Sequence, residues 1–198
     1  MIETIEHCGG KRTKKLIVMA VGAAAFLYLG TAASAVEIWS GLDYYFEKPD
    51  GADWTLPENQ DYFTDNVILT RADNMGISNI AQEDSYQGWD VSPMDTEWAF
   101  SGLNGNITFN AGEGAEQYQD LVFDDWVYAL DVWPADYFEG TPGVVHLISD
   151  DIYVDILCDY WAIGGEGGQG GFAWYRGVPT PGALSLLAIA GLASRRRR

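Results

Sequence analysis

Histidine, cysteine and basic residues are scarce in this chain, and each scarcity removes a class of chemistry. Two histidines and two cysteines occur in 198 residues. His7 and Cys8 both precede a long apolar run, so the part beyond residue 35 keeps only His146 and Cys158. One of each cannot build the multidentate shells of zinc sites. A lone thiol also excludes an intramolecular disulfide, a common staple of small exported domains, so a body of about 140 residues is expected to hold together by packing alone, which that length allows. Of the eleven lysines and arginines, Lys11, Arg12, Lys14 and Lys15 sit near one end and Arg195 to Arg198 at the other, leaving Lys48, Arg71 and Arg176 between. Against those three stand 27 acids between residues 36 and 177, a formal charge of −24. Such a body lacks the cations that neutralise phosphates, which excludes nucleic acid as a partner. A phosphate-cradling loop is missing as well, since the body's single lysine, Lys48, is followed by Pro49 and Asp50. There is no Gly-x-Ser-x-Gly elbow for a serine nucleophile.

What is present at the two ends reads as addressing. The basic group at residues 11–15, an apolar run at 16–30 and the small-residue site Ala33-Ser34-Ala35 have the layout of a secretory signal peptide cut after Ala35. At the other end, Val178-Pro179-Thr180-Pro181-Gly182 leads into an apolar run up to Ser194 and then Arg195, Arg196, Arg197 and Arg198. As a helix, residues 182–194 cover about 20 Å, short of the roughly 30 Å hydrocarbon core, and the prolines resist extending it upstream. The spacing predicts a transient hydrophobic sorting helix with its arginines on the cytoplasmic side. The chain therefore divides into a signal segment at 1–35, an acidic domain at 36–177 and a tail at 178–198.

This tail resembles the PEP-CTERM sorting signal of bacterial envelope proteins, on Val178, Pro179, Pro181, Gly182 and the four terminal arginines. Thr180 stands where that family carries glutamate. The resemblance covers residues 178–198 only. It implies export through the inner membrane and transient membrane association through both termini. Signal peptidase and an exosortase-type sorting enzyme are the implied partners, and the destination is the cell envelope, outer surface or surroundings of a bacterium. Residues 48–70 and 146–161 also resemble stretches of uncharacterised secreted bacterial proteins, a likeness that assigns no site.

The body reads as all-β. Short β-prone runs at 36–39, 67–70, 106–109, 144–148, 152–161 and 172–175 are separated by Gly, Pro, Asn and Asp clusters. We expect a single β-sandwich of jelly-roll type, with a short helix near Trp126 competing with a strand over residues 120–130. The glycine-rich stretch 164–171 reads as a flexible connector into the last strand. A two-residue loop at Asp150-Asp151 would place Val145 opposite Ile156, Leu147 opposite Val154 and, on the other face, His146 opposite Asp155, a structural imidazole–carboxylate pair. On the same parity Cys158 continues the row Ile152, Val154, Ile156 and is expected to be inert and buried.

No ligand-binding residue follows directly from these patterns, but three groups qualify as candidates. Asp95 and Glu97, beside Trp98, are the pair to test for carboxylate chemistry on a sugar, although Trp98 packing inward is the plainer expectation. Trp54 and Trp89 lie in polar, loop-like surroundings and are expected to be exposed, where rings can stack on polysaccharide. Asp50, Asp53, Asp61, Asp65 and Asn66 crowd one loop-rich segment and could surround calcium, the one cofactor the composition leaves open. Three functional classes follow: a non-enzymatic surface or extracellular-matrix protein, which we favour; a glycan-binding module; and a carboxylate-dependent polysaccharide hydrolase.

Overall fold

The strand that organises the molecule is the longest one, Ile152–Trp161, in which Ile152, Val154, Ile156 and Cys158 recur at every second position. In the computed structural model, which describes residues 36–110, 118–131, 137–164 and 169–179, this strand is β8. The elements before it are β1 (Glu37–Trp39), β2 (Tyr44–Lys48), β3 (Asp61–Tyr62), β4 (Ile68–Arg71), β5 (Ile77–Asn79), β6 (Thr96–Phe100), the four-residue helix α1 (Trp126–Ala129) and β7 (Pro142–Leu147); β9 (Phe172–Arg176) follows it. The expected signal and sorting helices, with Ala33, Ala35, Pro181, Gly182 and Arg195 to Arg198, lie outside the described residues, as do Cys8 and Trp133.

The described chain is all-β, in two sheets. The larger runs β2-β9-β8-β7-β6, with β1 added in parallel to the first residues of β8; the smaller is β3-β4-β5. Four successive strands, β6 to β9, thus form an antiparallel meander. A jelly roll instead alternates strands between its sheets, so the meander corrects that expectation. Inward-facing Ile152, Val154, Ile156 and Cys158 share one core with Leu69 and Ile77 of the small sheet. At its centre Phe138 meets Trp98, Phe100, Trp126, Trp161 and Trp174 edge-on, at centroid distances of 5.4 to 6.5 Å. Edge-to-face contacts suit the quadrupoles of the rings, and each large aromatic buries roughly 150–250 Å². That cluster takes the place of disulfides.

The β7–β8 hairpin forms, but in a different register from the expected one. Val145 pairs with Val154, Leu147 with Ile152, His146 with Tyr153 and Val144 with Asp155. Residues 148–151 form the loop, because the Ile148 amide donates to the Asp95 carbonyl (3.1 Å) instead of joining the ladder. The two-residue shift preserves which side chains face the core and changes who faces whom. His146 opposite Asp155 is thereby corrected.

Residues 106–109, expected as a strand, are irregular. The Ser101 hydroxyl bonds both the amide and the carbonyl of Phe109 (2.8 Å each), and the Asn106 side chain bonds both those of Val122. Side chains replace the missing ladder there. On the free edge of β6, Trp98 exchanges backbone bonds with Asp124, just ahead of α1. The short helix expected near Trp126 is α1.

Candidate functional site

All three cations of the acidic body are inside it. Lys48, Arg71 and Arg176 are 0%, 3% and 4% exposed, so no lysine or arginine between residues 36 and 179 reaches the surface. Arg176 lies in a closed network: Nη2 and Nε donate to the two oxygens of Asp61 (2.8 and 2.9 Å), and Trp174 Nε1 donates to Asp61 as well (2.7 Å). The guanidinium also sits 4.2 Å from the Phe63 ring and 4.4 Å from that of Tyr44. Since Asp61 is on β3 and Arg176 on β9, this pair ties one sheet to the other. Bidentate geometry and full burial make it a strong, specific contact.

Lys48 and Arg71 donate to backbone carbonyls instead. Lys48 Nζ reaches Gly170 O (3.0 Å), and Arg71 reaches Gly171 O (3.0 Å) and Met75 O (2.7 Å) while stacking 3.5 Å from the Trp161 ring centre. Burial lowers both pKa values, the Arg71 guanidinium to about 10, and the neighbouring arginine charge lowers Lys48 further. From the other side Asp50 accepts the amides of Gln169 (2.6 Å) and Gly171 (2.9 Å). Those two donors hold its carboxyl below the usual range, Gly171 first. Residues 169–171, the end of the stretch expected to be a flexible connector, are therefore clamped, while residues 165–168 lie outside the described residues. Gly170 has φ +80°, and a Cβ there would lie 2.1 Å from Asp73 O, so only glycine fits.

The carboxylates singled out in the sequence are dispersed among protein partners. His146 Nδ1 lies 2.7 Å from Glu97 and Nε2 3.4 Å from Asp151, with the imidazole stacked 4.1 Å from the Tyr153 ring. Asp155 accepts from Tyr118 Oη and from the Gly41 amide, both at 3.0 Å. Asp95 precedes β6 in a left-handed conformation (φ 62°) and takes the Ser149 amide and hydroxyl and Gln82 Nε2. Trp98 packs inward, fully buried. Asp125, at the start of α1, is held above the ordinary carboxyl range by burial and by Asp124.

The five residues of the calcium candidate do not converge. Asp50 holds the glycine segment, Asp53 caps Thr55, Asp61 binds Arg176, Asp65 accepts from the Tyr62 hydroxyl, and Asn66 donates to Asp150. Among the described residues no three acidic, histidine or cysteine side chains are grouped to hold a metal ion. Cys158 is buried, and burial pushes its thiol pKa up. Trp89 is 48% exposed, as expected, whereas Trp54 is half-buried. Of the tail motif, Val178 is half-buried and Pro179 exposed.

A surface that composition did not single out lies on the outer face of the large sheet. Tyr45 of β2 is directly opposite Tyr175 of β9, which is opposite Leu157 of β8. The tyrosine rings are 4.8 Å apart and tilted by 48°. One row along, Glu47, Ala173 and Tyr160 are neighbours, Tyr160 being set by a bulge between Cys158 and Tyr160. Tyr45, Tyr175 and Tyr160 are 43%, 36% and 41% exposed. The signal was present in Tyr44–Lys48, where Phe46 and Lys48 are buried and Tyr45 and Glu47 are exposed; in Phe172–Arg176 Tyr175 alone is exposed.

Among the described residues no helix is long and apolar enough to cross a membrane. Comparison of the chain with protein-family models, with curated proteins and with solved structures finds no match.

Proposed function

We propose that this chain is a non-enzymatic protein of the bacterial cell surface or extracellular matrix, exported by its N-terminal signal and sorted by its PEP-CTERM-like tail. Its two sheets are read as a β-sandwich. The observation that carries the reading is the burial of Lys48, Arg71 and Arg176, which leaves the lysines and arginines of residues 36–177 off a surface that bears carboxylates of the same segment. Such a coat keeps a protein hydrated and apart from its copies and from anionic lipid. It suits a domain released beyond the membrane better than one that must grip a charged partner. The commitment of Asp95, Glu97 and His146 to neighbouring side chains also favours a structural over a hydrolytic role. Signal peptidase and an exosortase-type enzyme are the partners this reading requires.

Intact-mass measurement of the protein recovered from fractionated cells of the producing bacterium tests it. The expected result is a chain beginning at Val36, in the envelope or medium fraction, with the tail either trimmed or linked to an added group. Full-length chain bearing Met1 and Arg198 in the cytosol would overturn the proposal. A glycan-binding role is the second reading, favoured by the exposed tyrosine row.

A further inference from the structure

We propose that the outer face of β2, β9 and β8 is a docking platform for a neutral polysaccharide, with Tyr45, Tyr175 and Tyr160 as stacking surfaces and Glu47 and Asp159 as hydroxyl acceptors. The inference draws on the surface-protein reading only for where the polymer would be met. Tyr45 and Tyr175 are cross-strand partners and Tyr160 lies on the next strand. At the usual strand spacing the three rings extend over about 10 Å. Tyrosine offers an apolar ring face for the C–H faces of a sugar and a hydroxyl for its polar edge. The Tyr45 hydroxyl points toward Asp159, at a long 3.5 Å, which leaves that carboxylate with acceptor capacity for a ligand hydroxyl. Glu47 projects from β2 on the same face as Tyr45, beside buried Ala173.

Charge selects the occupant. With every lysine and arginine of residues 36–179 buried, nothing on this face pairs with a uronate, sulfate or phosphate, and approaching anions are repelled. A second copy of the chain meets the same repulsion. A cationic partner would be drawn to acids over the whole −24 body, with no preference for the place where the rings gather. A polymer rich in hydroxyl donors and apolar ring faces but carrying no charge fits both the aromatics and the acceptors.

The test is affinity electrophoresis of the purified full chain through native gels containing β-glucan, xyloglucan or galactomannan, with alginate and polygalacturonate as anionic controls. At least one neutral polymer should retard the protein, and added salt should leave that retardation unchanged. Tyr45→Ala and Tyr175→Ala should each weaken binding about tenfold, and Tyr160→Ala by less. Tyr45→Phe, which keeps the ring, should bind nearly as the parent does, and Trp89→Ala should be unaffected. Tyr175→Thr, which retains strand propensity, repeats the test should alanine disturb the edge of the sheet. Absence of retardation by every neutral polymer would overturn the proposal. So would binding abolished by salt, which indicates a charged partner, or binding that survives loss of Tyr45 and Tyr175.

Discussion

Replacing Asp61 by alanine should cost this protein a large share of its stability, because one carboxylate joins the two sheets. Asp61 is fully buried and accepts three bonds of 2.7 to 2.9 Å, two from Arg176 and one from Trp174. Its removal strands a guanidinium that is 4% exposed. Breaking a buried ion pair from one side costs about 3–5 kcal/mol, and the orphaned indole N–H about 1–3 kcal/mol more. The contributions overlap, so we expect a loss of about 4–6 kcal/mol against a total of about 5–15 kcal/mol for a domain. Arg176→Met removes the cation and its contacts with Tyr44 and Phe63, and should cost about 3 kcal/mol or more. The double variant should be less unstable than the two losses together by about 2 kcal/mol or more, since neither charge is then left alone. Urea unfolding followed by tryptophan fluorescence gives all four corners of the cycle. An Asp61→Ala cost below about 1 kcal/mol, or strict additivity, would refute the idea that this pair couples the sheets.

Gly170→Ala should cost about 3 kcal/mol or more in the same assay, because a left-handed residue would also drive its Cβ into the Asp73 carbonyl. The melting temperature should rise with added monovalent salt, which screens the −24 body. Asp50 and Asp53 are held below their usual 3.8 by the amides of Gly171 and Gln169 and by Thr55 respectively. Their contribution is therefore present above that value and lost as pH falls through the lower folded values; melts that improve below it would contradict the assignment. Calcium should raise the melting temperature no more than magnesium at equal ionic strength, since the five candidate residues are tied to separate protein partners. A thiol reagent should label Cys158 only after unfolding, and rapid labelling of the native protein would contradict its burial.

The core rows of the large sheet were legible in the sequence because alternation fixes which face a residue takes. Ile152, Val154, Ile156 and Cys158 are all buried as that rule requires. Pairing was not legible to the same degree. Ile148 looks like a strand residue, but its amide is taken by the Asp95 carbonyl, a contact 53 positions away in the chain that no local pattern announces. The small sheet was harder still. Its strands are two to four residues long and bury Asp61, Arg71, Ser78 and Asn79, so hydrophobic periodicity has little to act on. Asp61 carries the plainest lesson: beside Asp50, Asp53 and Asp65 it resembles one more loop carboxylate, and only its partner on β9, more than a hundred residues onward, makes it an interior ion. The tyrosine platform was not legible because its rings come from three strands that only the fold sets side by side; of the described tryptophans, Trp39, Trp98, Trp126, Trp161 and Trp174 are all interior.

Strand β8 receives β1 and β9 along one edge, and the two end against each other there, Gly177 so near the Trp39 carbonyl that a Cβ would lie 1.8 Å from it. The first strand to emerge from a ribosome or a translocation channel must accordingly idle until its mate, more than a hundred positions behind it, has also come through. High contact order of this kind slows folding. For a polypeptide delivered amino end first, it also works as a timer, keeping the large sheet open and threadable until Arg176 has passed.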